Sequence, residues 1–206
     1  TRLDTMGLRP TYRLELDTYF LIDRMMTVGI KPNLAHFASL GTMLQGEVEA
    51  LQASIEAAVG TVGFNANSGD QVAERLYGVL GLPEGKRTSP GGRGSTNDKI
   101  LEGLEREFGI TYPEISMFRS YRETYKLLHT FVDRIPDFVH RYPHDGRVHA
   151  TFRTTRVVTG RLAASDPNVL AQPEHGRFAP LFKDGWEAED GHVVADFILT
   201  LGVILV

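Results

Sequence analysis

The chain has 206 residues, a net charge of −4 and 42% apolar residues, which is ordinary for a globular protein with a buried core. It has no cysteine, so disulfides and thiolate metal sites are excluded, and a reducing, cytoplasmic compartment fits. The most apolar stretch, Phe197 to Val206, has ten residues, whereas a membrane-spanning helix needs about 20, so a buried strand and no membrane contact are expected.

Charge is distributed unevenly along the chain. From Arg119 to Arg161 there are nine Lys or Arg residues against four Asp or Glu, whereas Leu162 to Val206 has two against seven. The negative total argues against a simple nucleic-acid binder, which usually carries a basic excess. A basic segment followed by an acidic one suits a protein that binds an anion in one place and a metal ion in another.

Apolar spacing predicts two helices at the start of the chain. Residues 11–26 form the first, which ends near Gly29. A longer helix follows Asn33, and its buried seam is predicted at Leu44, Val48, Leu51, Ile55 and Ala58. Residues 60–67 are rich in Gly and Asn and indicate a loop.

Two shorter helices and a tip loop are predicted next. Ser68 and Gln71 form a capping-box pattern that opens one helix. Residues 84–94 are rich in Gly and cations, which is typical of a flexible basic tip. Ser95 and Thr96 are then predicted to cap another helix.

From Glu114 the chain is predicted to be helical again. Its apolar seam is spaced at Phe118, Tyr121, Tyr125, Leu128, Val132 and Ile135. Beside the seam lies a basic stripe formed by Arg119, Arg122, Lys126 and His129. Because the stripe occupies a neighbouring face, it can reach solvent while the seam is buried.

Beyond Pro143 the pattern changes to that of strands. Residues 147–153 alternate, with Val148, Ala150 and Phe152 on one side. Residues 190–197 indicate a turn and a buried strand. Helices followed by strands predict an α+β fold.

The run from Thr159 to Asn168 reads TGRLAASDPN and follows the basic strand FRTTRVV. Gly160 allows close backbone approach and Arg161 offers a planar fork suited to phosphate. Taken alone, these residues predict an anion-contacting turn. The run resembles the TGRLSSSDPN segment of family A DNA polymerases, which lies at the junction of thumb and palm and contacts the primer-template duplex.

Four further segments resemble motifs of that family in the same order: FNANSGDQV (FNPNSPKQL), RGSTN (KRSTD), YRETYKLLHTFVDRIP (YRELxKLKxTYVDxLP) and GRVHATF (GRLHTxF). The resemblance implies that residues 1–145 form a mainly helical thumb of long antiparallel helices with its basic tip at 84–94. Residues 146–206 would then begin an antiparallel palm sheet.

The resemblance also implies which residues contact DNA. Contacts to the DNA backbone would come from Arg122 and Lys126, for which a solvated helix face is the alternative. Contacts near the primer end would come from Arg161 and Asn168 of the TGRLAASDPN segment. Further contacts would come from Arg153 in the strand before this segment and from Gln172 just after it. Contacts to the primer backbone higher on the thumb would come from Ser68, Ser95 and Thr96, for which plain helix capping is the alternative. Such contacts position a duplex without reading its sequence.

The resemblance makes Asp196, in HVVADF, the catalytic and metal-binding candidate. In the family a VxxDYSQIELR strand brings an Asp to two Mg²⁺ ions, which activate the primer 3′-hydroxyl and steady the pyrophosphate. Here ILTLGVILV replaces SQIELR, and the second metal ligand and the fingers helix are missing. The chain is therefore expected to bind primer-template DNA without polymerising, and the dNTP belongs to the complete enzyme.

Whether the chain is truncated, frameshifted or naturally split stays open. A split would make the chain a non-catalytic DNA-binding subunit, with a second polymerase chain supplying the fingers and the rest of the palm. A different class of function, a helical scaffold for protein interaction, would use the apolar seams instead.

Overall fold

The computed structural model describes residues 2–84, 94–157, 159–174, 176–189 and 191–192. Within these ranges helices dominate and two short antiparallel sheets accompany them, so the predicted α+β class is confirmed. No described helix is long and apolar enough to cross a membrane.

The helices are α1 (Arg2–Thr5), α2 (Arg9–Val28), α3 (Leu34–Val59), α4 (Gly69–Ala73), α5 (Asp98–Phe108), α6 (Glu114–Lys126), α7 (Ile135–His140) and α8 (Ala179–Lys183). π-helical turns continue α4 over Glu74–Val79 and α6 over Leu127–Phe131, and 3-10 turns cover Val132–Arg134 and Val169–Ala171. The strands are β1 (Lys31–Pro32), β2 (Thr151–Arg153), β3 (Ala163–Ser165) and β4 (Trp186–Glu187). Strand β1 pairs with β4 and β2 with β3, both antiparallel.

The described residues divide into two compact units. The strand unit comprises those of Thr1–Phe37, Ile135–Glu174 and Ala179–Val206, and the helical unit comprises those of Ala38–Arg134 and His175–Phe178. The units are interleaved along the chain, whereas the sequence predicts one division after residue 145. The assignment of a thumb and a palm to these regions stays a prediction.

The strand unit is built where α2 meets the strand region. Ile22 of α2 packs with Ala150 and Phe152, all less than 9% exposed. The predicted inward alternation of Val148, Ala150 and Phe152 is confirmed by their burial. Regular strand pairing is shorter than the alternating pattern of residues 147–153, however. It includes Thr151–Arg153 alone, and Val148 forms an isolated bridge with Ile30.

Helix α2 ends at Gly29, as predicted. Gly29 has a φ of 64°, a left-handed conformation that favours glycine. A Cβ at this position would lie 2.8 Å from His149 Cε1 and 2.9 Å from the Val148 carbonyl oxygen. The close approach of the Gly29 backbone to Val148 and His149 therefore requires glycine.

His149 connects the end of α2 to the segment before β2, with Asp145 as its second partner. His149 Nδ1 lies 2.7 Å from the Met26 carbonyl oxygen, and Nε2 lies 2.8 Å from Asp145 Oδ2. Burial raises the pKa of the Asp145 carboxyl, but hydrogen bonds from the Arg147 amide and from His149 outweigh it, so the pKa lies below its ordinary value.

An aromatic cluster also lies in the strand unit. The ring of Phe37 meets Phe182 and Trp186 edge-on, each at a centroid distance of 5.4 Å. Gly185 lies against the Phe37 ring, where a side chain would collide with it.

The core of the helical unit follows the predicted seam of α3. Leu44, Val48 and Ile55 are buried, whereas Ala58 near the end of the helix is exposed. Phe64, in the loop after α3, stacks on Phe118 of α6 at a centroid distance of 5.5 Å.

The predicted start of α4 is half confirmed. Ser68 Oγ accepts from the Gln71 amide at 3.3 Å, as an N-cap should. The Gln71 side chain does not return to Ser68, because its Oε1 accepts from the Asn65 amide at 2.8 Å. The Gln71 side chain therefore stabilises the preceding loop instead of closing a capping box.

The prediction that Ser95 and Thr96 cap α5 is wrong. Asn97 is the N-cap, and its Oδ1 accepts from the Ile100 amide at 3.0 Å. Thr96 is 7% exposed, so its side chain faces inward and cannot cap the helix.

The predicted helix from Glu114 is present but changes its winding after Lys126. In the π-helical turn that follows, the adjacent residues Leu127 and Leu128 are both buried. Tyr125, which the seam places inward, is 36% exposed. A wider turn shifts the buried face, which regular spacing does not reveal.

Candidate nucleic-acid interface

The first member of the basic stripe, Arg119, joins α6 to α5. Its Nε donates to Asp98 Oδ1 at 2.9 Å, and its Nη1 donates to Glu105. The hydrogen bond to Asp98, supported by Glu105, raises the pKa of Arg119 above its ordinary value. Two carboxylates thus compensate this charge within the protein.

The second member, Arg122, is half-buried and bonds to two distant segments. Its Nε donates to the Ala66 carbonyl oxygen at 2.6 Å, and its Nη1 donates to the Thr96 carbonyl oxygen. Its Nη2 lies 3.5 Å from Thr96 Oγ1. Burial lowers the pKa of the Arg122 guanidinium, an effect that Asp98 opposes.

The remaining members of the stripe differ from each other. His129 Nδ1 lies 2.7 Å from Asp133 Oδ2. Lys126 is exposed, and within the described ranges its side chain has no hydrogen bond or ion pair. Of the four, Lys126 is the cation available to an external anion.

Lys126 lies on a cleft of about 550 Å³ in the helical unit. The cleft is lined by Asp98, Leu101, Arg119, Arg122, Glu123, Lys126 and Gly176. The acidic members Asp98 and Glu123 were not anticipated from the sequence. Asp98, at the first position of α5, could have been found as the acidic partner expected in a first helical turn.

The three hydroxyl candidates lie in two segments of the helical unit. Ser68 is half-buried and caps α4. Ser95 is half-buried, and its Oγ accepts from the Asn97 amide at 3.4 Å. Thr96 is buried beside Arg122. Their contact with DNA stays a prediction, since these bonds are within the protein.

The strand unit contains the other predicted DNA-binding residues. Arg153 pairs with Ala163 in the β2–β3 hairpin and is exposed, since it points away from the core face marked by Phe152. Arg161 and Asn168, on either side of β3, are exposed, and Gln172 is half-buried. No side-chain partner of these predicted residues is seen in the part of the chain that the structure describes.

Asp196 lies outside the described residues, as do the tail after it and most of the tip at 84–94. In the described part of the chain, no group of three or more His, Cys, Asp or Glu side chains could hold a metal ion. The metal site therefore stays a prediction attached to Asp196.

Comparison with known families decides the relationship. The family model of DNA polymerase family A matches residues 34–198. The chain belongs to DNA polymerase family A. The resemblance drawn from the five motifs is confirmed.

Individual relatives agree with the membership of this family A chain. It is 33% identical over 174 residues to the thermostable DNA polymerase I of Thermus thermophilus, covering 84% of this chain and 20% of the relative. It is 31% identical over 179 residues to the DNA polymerase I of Deinococcus radiodurans, covering 86% and 18%. The chain thus spans about a fifth of the length of the curated relatives it matches.

A solved structure shows the same fold. The POL domain of Pol1 from M. smegmatis, in complex with DNA primer-template and dNTP, is similar to this chain with a TM-score of 0.75 and 24% identity. The match covers 87% of this chain and 30% of that one.

Proposed function

We propose that the complete protein is a DNA-directed DNA polymerase and that this chain contributes a part that grips the primer-template duplex. The observation that supports the proposal best is the family membership over residues 34–198. In this proposal the dNTP and the Mg²⁺ ions belong to the complete protein, with Asp196 as one carboxylate ligand. A cytoplasmic location is proposed because the relatives are bacterial DNA polymerases I.

Exposed cationic side chains provide the physical basis for duplex binding. Lys126 in the helical unit, and Arg153 and Arg161 in the strand unit, are exposed, and their side chains have no hydrogen-bond or ion-pair partner within the described ranges. Each can neutralise a phosphate and release counterions, so binding should depend on salt and tolerate any sequence.

Titration of the 206-residue chain into labelled primer-template duplex at several salt concentrations tests the proposal. Three phosphate contacts predict a slope of log Kobs against log[salt] of about −2.7, because each contact contributes about −0.9. No binding at low salt, or an affinity indifferent to salt, would refute the proposal.

Single substitutions locate the grip. Lys126→Ala should reduce the magnitude of the slope by about 0.9. The matched control is Arg106→Ala, an exposed cation near the end of α5 whose side chain is 79% exposed and pairs with Glu102. A scaffold for protein interaction predicts no effect of either substitution on DNA affinity.

A further inference from the structure

We infer that Arg122 is a positioning residue that joins two loop segments of the duplex-binding surface, instead of contacting phosphate itself. The inference rests on the proposed function. It assigns Arg122 a different role from Lys126, although both lie on the same stripe of α6.

The hydrogen bonds of Arg122 carry the inference. Its guanidinium donates to the carbonyl oxygens of Ala66 and Thr96, which are 56 and 26 residues away in the chain. Ala66 is fully buried and Thr96 is 7% exposed. If Arg122 turned outward to a phosphate, both carbonyls would lose their donor in places that water reaches poorly.

The two joined segments are those that carry the candidate hydroxyls. Ser68 follows Ala66 by two residues, and Ser95 directly precedes Thr96. Tyr77 also bonds to the second segment, since its hydroxyl donates to the Ser95 carbonyl oxygen at 2.7 Å. By holding both segments, Arg122 sets their separation.

Only a guanidinium suits this position. Its Nε–H and Nη–H groups point in fixed directions within one plane and reach two carbonyls at once, whereas the ammonium of lysine is a single point charge. The half-buried position and the lowered pKa of Arg122 fit a group that is enclosed by protein. Replacing arginine by lysine should therefore keep the charge and lose the connection.

The main test compares Arg122→Lys, Arg122→Ala and Lys126→Ala in the full chain, titrated with labelled primer-template duplex at several salt concentrations. We expect Arg122→Lys and Arg122→Ala to weaken binding equally, by about tenfold, with the salt slope unchanged. Lys126→Ala should reduce the magnitude of the salt slope by about 0.9. Wild-type affinity of Arg122→Lys, or a slope reduced by about 0.9 in Arg122→Ala, would overturn the inference.

Hydrogen exchange of the free chain provides a readout that does not depend on DNA. In Arg122→Lys, amides around Ser68 and Ser95 should exchange at least about tenfold faster, while those in the middle of α3 stay protected. Unchanged exchange at both segments would contradict the positioning role. Absence of salt-dependent binding by the wild-type chain would instead refute the proposed function, so the two failures can be told apart.

Chemical modification of the wild-type chain covers the case in which the variants do not fold. An arginine-specific dicarbonyl reagent should modify Arg122 slowly both with and without duplex, because its donors are engaged within the protein. Arg161, which is exposed, should react in the free chain and be protected by duplex. Rapid modification of Arg122 that duplex suppresses would show a direct DNA contact and overturn the inference.

Discussion

Substitution of Glu114 by glutamine tests how the helical unit holds a charge in its interior. Glu114 is 5% exposed, and its Oε1 accepts from Arg75 Nη2 at 2.8 Å. The Arg75 side chain is 18% exposed, and its Nε has no hydrogen-bond partner in the described structure. Removing the carboxylate charge leaves a largely buried guanidinium without its counterion.

The expected loss is about 2–3 kcal/mol in the free energy of unfolding. Removing one partner of a fully buried pair typically destabilises by about 3–5 kcal/mol. The value should be lower here, because Arg75 is partly solvated and glutamine keeps an acceptor for it. Glu114 also opens α6, where a negative charge contributes about 0.3–1 kcal/mol through the helix dipole.

Urea unfolding followed by far-ultraviolet circular dichroism measures the effect. With an m-value of about 1.5 kcal/mol per molar, the midpoint should fall by about 1.3–2 M. The control is Glu102→Gln, which removes one partner of the exposed pair with Arg106 and should change stability by less than about 0.5 kcal/mol. Equal, small effects of the two substitutions would refute the reasoning about the buried charge.

Four further substitutions are tested in the same unfolding assay. Asn97→Ala should destabilise by about 1 kcal/mol, because it removes the N-cap of α5, and no loss would contradict that role. Gly185→Ala should destabilise by about 1–3 kcal/mol, because its Cβ would lie 2.4 Å from the Phe37 ring. Gly103→Ala, with open space around its Cβ in the interior of α5, should instead stabilise by about 0.5–1 kcal/mol, so effects of the same sign would count against this reasoning. Asp145 has a lowered pKa when folded, so the unfolded chain binds more protons and stability falls as pH drops below about 4. Asp145→Asn should remove that contribution, at most about 1 kcal/mol, and an unchanged pH profile would contradict it.

Local features of the chain could be predicted from the sequence because they depend on neighbours a few residues apart. The end of α2 at Gly29 follows from glycine's access to positive φ, and the burial of Leu44, Val48 and Ile55 follows from helical spacing. The family could also be recognised, since its motifs stand in order along the chain. The sequence predicts the wrong cap for α5, because Asn97, Ser95 and Thr96 all suit a cap by residue type. Burial of Thr96 excludes one of them, and the structure shows Asn97 as the cap.

The sequence by itself determined that Arg119, Arg122 and Lys126 share one side of α6, because positions three and four apart in a helix are neighbours. Only the tertiary structure decided what each charge does. Arg119 meets carboxylates on α5, Arg122 meets carbonyls at Ala66 and Thr96, and Lys126 faces solvent. These partners lie 14 to 56 residues away in the chain, and packing alone brings them within hydrogen-bond distance.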